Sequence, residues 1–174
     1  LIVEAYDSMS VAIETAEATH ARDDFGGRLM SALHGMRQWA IAHPAEYLLI
    51  QGTPIPGYEG PDEVTRPAAQ RGWRTMFTVL IEAQMAGKLS LPTLAEDDLP
   101  HYTTLSQLWS QQIGLPISIP LLHVALSSSA LINGLLIAEV TNRYPDVAAE
   151  TTIVELDLIR QRLGIPEPHP DRKS

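Results

Sequence analysis

The sequence predicts an all-α domain, a bundle of about seven helices, on three observations. Trp73, Met76, Phe77, Leu80, Ile81, Gln84 and Met85 fall at i, i+3, i+4, i+7, i+8, i+11 and i+12, the spacing of one face of a long helix. Alanine, leucine and isoleucine supply most of the apolar filling while aromatics make up only 6%, and no convincing strand pattern occurs. From Leu115 to Ala138 there is no charged side chain, although prolines and polar residues interrupt the run. A helix that is apolar all round is normally buried, so this stretch is expected to be a fully buried helix rather than a membrane span.

In chain order, Leu1 to about His20 reads as a helix, with Ile2, Ala5, Tyr6, Met9, Ile13 and Ala16 at helical spacing. Asp23 and Asp24 offer N-caps for a second helix reaching about Ala42, although Gly26-Gly27 blurs its start. Leu29, Leu33, Met36 and Ala40 form its stripe, with Met30, Arg37 and Ile41 beside it. His43-Pro44 ends that helix, because the residue before a proline is pushed out of the α region. Pro44 then opens a short helix, Ala45 to Gln51. Gly52 to Pro61, GTPIPGYEGP, reads as a fixed-shape loop.

The long amphipathic helix spans about Thr65 to Ala86, with Gly87 as its C-cap. Leu89 to Pro100 is an acidic connector, and His101 to Ile113 a further helix carrying Leu105, Leu108 and Trp109. Gly114-Leu115-Pro116 breaks it before the charge-free helix, Leu121 to Asn142. Asp146 is a plausible N-cap for the last helix, about Val147 to Leu163, with Ile153, Leu156, Ile159 and Leu163 on its inner side. Residues 1–164 form one domain in this reading, and 165–174 a loose tail.

Within the charge-free helix, Ala130, Gly134 and Ala138 recur every fourth position and line one face, where another backbone can approach closely. That face suits either the core of one chain or contact with a second copy across a two-fold axis.

Charge and composition exclude several function classes. With a net charge of −9, and with its twelve Lys and Arg scattered, the chain presents no basic cluster for a phosphate backbone or an anionic membrane surface. Without cysteine it has no disulfide, catalytic thiolate or Cys-ligated zinc, and the six histidines show no metal-ligand spacing. Neither a metal nor a cofactor is therefore expected. Glu96-Asp97-Asp98 reads as a solvated loop rather than a general acid and base, and Ser127 to Ser129 as packing residues rather than nucleophiles. His34 and His123 sit among apolar neighbours on helices and read first as core histidines, second as hydrogen-bonding handles or catalytic bases. The aromatic and methionine set, Met30, Trp39, Tyr47, Trp73, Met76, Phe77, Met85 and Trp109, is either ordinary core or the lining of an apolar cavity between helices.

Two stretches carry a family resemblance. Trp39 to Gly60, WAIAHPAEYLLIQGTPIPGYEG, resembles the early part of the ligand-binding domain of actinobacterial TetR-family transcriptional regulators, through its A-x-x-H-P-x-x-Y core and the following G-T-P-x-P-G-Y. Gly114 to Tyr144 is similar to the family's later dimerisation region, often W-x-x-x-H/F-G-L-x-x-x-E. Asn133-Gly134-Leu135 and Glu139 match its second half, whereas Ser129 stands where Trp is common and Asn133 where His or Phe is common.

The resemblance implies the regulatory body of a transcriptional repressor: a cytoplasmic, non-catalytic homodimer that binds a small apolar effector between its earlier helices. It implies that the last two long helices pack against their mates as a four-helix bundle. It further implies a helix-turn-helix head ahead of the helix starting near Leu1, so that DNA is met only through that absent head. The ligand-binding residues are expected among Met30, His34, Arg37, Trp73, Phe77, Leu80, Trp109 and His123. The dimer interface is expected at Leu126, Ala130, Asn133, Gly134, Ile137, Ala138, Ile153 and Leu156. A small helical enzyme with a histidine base and a ligand-free dimerisation module are the alternatives.

Overall fold

The helical periodicity resolves into α1 (Ile2–Glu17), α2 (Phe25–Ala42), α3 (Pro44–Gln51), α4 (Asp62–Met85), α5 (Leu99–Ile113), α6 (Ile119–Val140) and α7 (Ala148–Arg162). This computed structural model describes residues 1–51, 62–143 and 148–167, and no strand occurs among them. The G-T-P-x-P-G-Y loop, the Asp146 cap and the end of the tail lie outside the described residues.

Helix starts follow local chemistry. The Asp24 side chain accepts from the Gly27 amide at 2.8 Å and caps α2. Ser118 caps α6 and Pro120 sits in its first turn, where a missing N–H costs nothing, so α6 begins two residues before Leu121. The long helix α4 starts at Asp62 rather than Thr65, which places exposed Pro67 inside it. Gly87 and Gly114 follow α4 and α5 at φ 66° and 74°, left-handed positions that suit glycine at a helix end.

α1, α2 and α4 pack into the body of the fold, with Ile13, Met36, Phe77 and Val79 at most 2% exposed. Glycine sets the closeness of α1 and α2. A Cβ on Gly35 would lie 2.9 Å from the Ala12 carbonyl oxygen and 2.8 Å from the Ala16 Cβ. The Gly26-Gly27 pair is likewise a point of close approach rather than a loose start: a Cβ would lie 2.2 Å from the Pro166 carbonyl oxygen at Gly26, and 2.2 Å from the Asp24 carboxylate at Gly27. At this end of the bundle the Arg28 guanidinium is buried among Glu17 (2.5 Å), Glu82 (2.6 Å) and the Arg22 carbonyl (2.8 Å). Burial works against its charge, but the Glu82 and Glu17 carboxylates more than offset it and hold the group ionised.

Four expectations change here. α6 is not fully buried within one chain. Only Leu121, Leu122, Ile132 and Leu136 are buried, and the face with Ala130 and Gly134 is exposed. On α7 the inner stripe is Thr152, Leu156 and Ile159, while Ile153 is 45% exposed, because the buried row is shifted by one residue on the helix. The tail does not begin loose at 165: Ile165 is buried, and its carbonyl accepts from Arg160 at 2.8 Å. Met85, placed with the apolar set, is 84% exposed at the end of α4.

Gly35→Ala is expected to destabilise the protomer by about 1–3 kcal/mol through overpacking against α1, measured by urea unfolding.

Candidate functional site

The strongest candidate site is a pair of adjoining hollows walled by α6 and α7. The inner hollow is small, about 40 Å³. α4 contributes Trp73, Met76, Phe77 and Leu80, and α2 contributes Leu29 and Leu33. α6 closes it with Val124, Ser128 and Ile132, and α7 with Ile159 and Leu163. Phe77 is held from behind by Trp109 of α5, ring centroids 5.7 Å apart and inclined at 66°.

The outer hollow is larger, about 370 Å³. Ser90, Leu91 and Pro92 of the connector form one side, while α6 supplies His123, Val124, Ser127, Ser128 and Leu131. α7 supplies Ile159 and Arg162. The two hollows share Val124, Ser128 and Ile159, which form a common wall. His123 is steered by Tyr102 of α5: its Nδ1 lies 2.9 Å from the Tyr102 hydroxyl, with the rings edge to face at 5.4 Å. Ser127 bonds back to the His123 and Val124 carbonyls at 3.0 Å each, as a helical serine commonly does.

Of the expected ligand-binding residues, Trp73, Phe77 and Leu80 line the inner hollow, His123 lines the outer one, and Trp109 backs Phe77. Met30, His34 and Arg37 line neither. α2 faces the site with its main stripe, Leu29 and Leu33, and not with the row beside it. Arg37 is occupied elsewhere, in a two-point ion pair with Glu139 of α6 whose Nε–Oε2 distance is 3.0 Å. Tyr47 of α3 donates to Asn133 Oδ1 at 3.1 Å, and its burial pushes the phenol pKa upward. Among the residues missed in the sequence are Leu29, Leu33, Val124, Ser128, Ile159, Leu163 and Arg162. Their helical spacing was visible, but which faces meet depends on how α7 folds back on α6.

The histidine-base reading fares poorly. His123 meets a phenol and not a carboxylate, and His34 has no hydrogen-bond partner among the described residues. His20 does carry a nucleophile-like arrangement, with Nε2 2.7 Å from Ser31 Oγ and Nδ1 3.0 Å from Asp24 Oδ2. Ser31, however, lies within α2, where the neighbouring backbone N–H groups belong to the helix ladder and none is left to stabilise an oxyanion. These three side chains join the α1–α2 turn to α2, and they border neither hollow.

Comparison with known proteins is decisive for the family. Residues 29–156 match the family described as Tetracyclin repressor-like, C-terminal domain. The chain belongs to this family. It is also similar to HTH-type transcriptional regulator Mb1846 of Mycobacterium bovis, 26% identical over 91 residues. HTH-type transcriptional regulator Rv1816 of Mycobacterium tuberculosis matches equally well, at 26% over 91 residues. Each match covers 52% of this chain and 39% of the relative, so the shared region is well under half of those proteins.

Two outcomes follow from the polar contacts around α2. Glu139→Gln should destabilise the protein by about 2–4 kcal/mol, because Arg37 keeps a largely buried charge without its counter-ion; chemical unfolding at neutral pH measures it. The His34 pKa is lowered, first by burial and then by the Arg37 charge. The unfolded chain therefore takes up this proton first, and stability falls as pH drops below about 6.5, the ordinary histidine value. His34→Gln should flatten that part of the stability–pH curve, read from melts between neutral and mildly acidic pH.

Proposed function

We propose that this chain is the effector-sensing and dimerisation body of a cytoplasmic TetR-like transcriptional repressor that acts on DNA through a helix-turn-helix head. Membership of the tetracyclin repressor-like family supports the regulatory role. The observation that carries the dimer is the charge-free outer face of α6. Ala130 and Gly134 are exposed on it, Leu126, Ile137 and Ala138 are half-buried beside it, and nothing in the protomer lies within 4 Å of a Cβ built on Gly134. α6 is long and apolar enough to cross a membrane, with mean hydropathy 1.8, yet only 22% of its most apolar window is buried within the chain. A second copy would cover that surface without placing the Arg37–Glu139 pair in lipid. Ile153 and Val154 of α7 are exposed apolar side chains, whereas Leu156 is fully buried in the protomer and so is left out of the interface.

The hollows beside α6 supply the sensing element. An effector entering between α4, α6 and α7 would bear on the same helices that set the spacing of the two protomers. It shifts the DNA-competent population only insofar as it contacts the two spacings differently. The 40 Å³ of the inner hollow, roughly the room of a single water, favours the ligand-free dimerisation module as the second reading.

Gly134→Leu is expected to weaken self-association by overpacking the α6 face while leaving the protomer folded. Sedimentation equilibrium measures the association constant and circular dichroism the fold. An unchanged dimer would remove Gly134 from the interface. Retention of operator DNA by the head-containing protein, with and without added effector, tests the repressor role.

A further inference from the structure

Resting on the effector-sensing reading above, we propose that the effector is an amphipathic monoanion: a carboxylate on a short apolar body. Its carboxylate would meet Arg162 and His123 in the outer hollow, and its body would pass the partition toward Trp73 and Phe77. The two hollows differ in chemistry across one shared wall. The inner one is walled by aliphatic and aromatic side chains, with serine hydroxyls only on its α6 side. Among the described residues that line the outer one, Arg162 is the sole fully charged side chain and none is a carboxylate. In a chain with 21 acidic and 12 basic side chains, a cavity whose described lining carries a cation and no carboxylate departs from the surface average and favours negative charge.

Arg162 is not locked away from a ligand. Its Nη2 sits 3.7 Å from the Glu155 carboxylate, with the arginine 64% exposed, a loose surface pair worth little and easily exchanged. His123 adds a directed contact. His123 lines the hollow, and with Nδ1 engaged by Tyr102 its Nε2 is the ring nitrogen left to donate. The outer hollow, about 370 Å³, falls near the lower end of the roughly 300–1,000 Å³ found for small-molecule pockets and holds the head group and most of a chain of several carbons, while the inner hollow admits only the end of that chain. Entry of the body requires Val124, Ser128 and Ile159 to part. Two of these three are small or β-branched side chains on α6, the helix whose far side is only half-covered.

The test uses octanoate and its neutral counterpart octanol, titrated calorimetrically into the chain. Octanoate is expected to bind about tenfold more tightly than octanol, through charge-assisted hydrogen bonds to the guanidinium. Arg162→Gln, at an exposed position that leaves the fold intact, should erase that margin without weakening octanol. Glu155→Gln, which removes the competing carboxylate, should tighten octanoate. Ser128→Leu, which fills the partition, should block the binding of both. If octanol binds as tightly as octanoate, or if Arg162→Gln leaves octanoate unchanged, the anionic class is overturned while the pocket stands. If octanoate still binds to the Ser128→Leu protein, the acid sits outside these hollows and the proposal fails. If neither probe binds the unaltered chain, the proposal fails, whereas the sensing reading falls only if no effector alters operator retention by the head-containing protein.

Discussion

The orientation of α6 is the constraint on which the rest depends, and two polar contacts set it. An apolar helix with no polar face has no hydrophobic stripe to tell it which side belongs inside. Asn133 and Glu139 break that symmetry. One accepts from Tyr47 of α3, the other pairs with Arg37 of α2. On a helical wheel the buried residues Leu121, Leu122, Ile132 and Leu136 lie in the sector flanked by these two side chains. The small residues Ala130 and Gly134 are thereby turned outward, and the serine-bearing edge is turned toward α7 and the hollows. A reversed helix would bury Ser127 and expose Leu136, and it would also strand Arg37 beside an apolar surface.

The body against which α6 is set is made rigid by close approach and by one buried cation. Gly35 lets α1 and α2 touch backbone to side chain, and Arg28 ties the ends of α1, α2 and α4 through Glu17 and Glu82. Arg71 adds a two-point contact from α4 to Glu14 of α1 at 2.7 and 2.8 Å. An effector pressing on Trp73 and Phe77 would therefore push on a helix already clamped to α1, so displacement at the hollow is handed along a stiff element rather than absorbed by loose packing.

Both hollows lie where three kinds of packing meet: the α2–α4 body, the α6–α7 pair and the connector after α4. Gly164 beyond α7 brings the chain so close to the connector that a Cβ would lie 2.8 Å from the Ser90 Cβ, and the Ser90 amide donates to the Leu163 carbonyl at 2.7 Å. That contact holds Ser90, Leu91 and Pro92 over the outer hollow. The result is an apolar recess with a polar mouth that carries one cation among its described residues, built from residues distant in sequence.

The sequence by itself determined the helices and most of their ends, because periodicity, prolines and glycines act over a few residues. It also carried the family, through Ala40 to Tyr47 and Asn133 to Glu139, and it marked Trp73, Phe77 and Leu80 as the apolar face of α4. Only the tertiary structure decided which face of an almost uniform α6 turns inward, that Arg37 pairs with Glu139, and that Ile153 faces out while Leu156 faces in. The physical reason is that periodicity fixes a stripe only to within about one residue, some 100° of rotation. A site between helices is decided by that rotation and by partners tens of residues away.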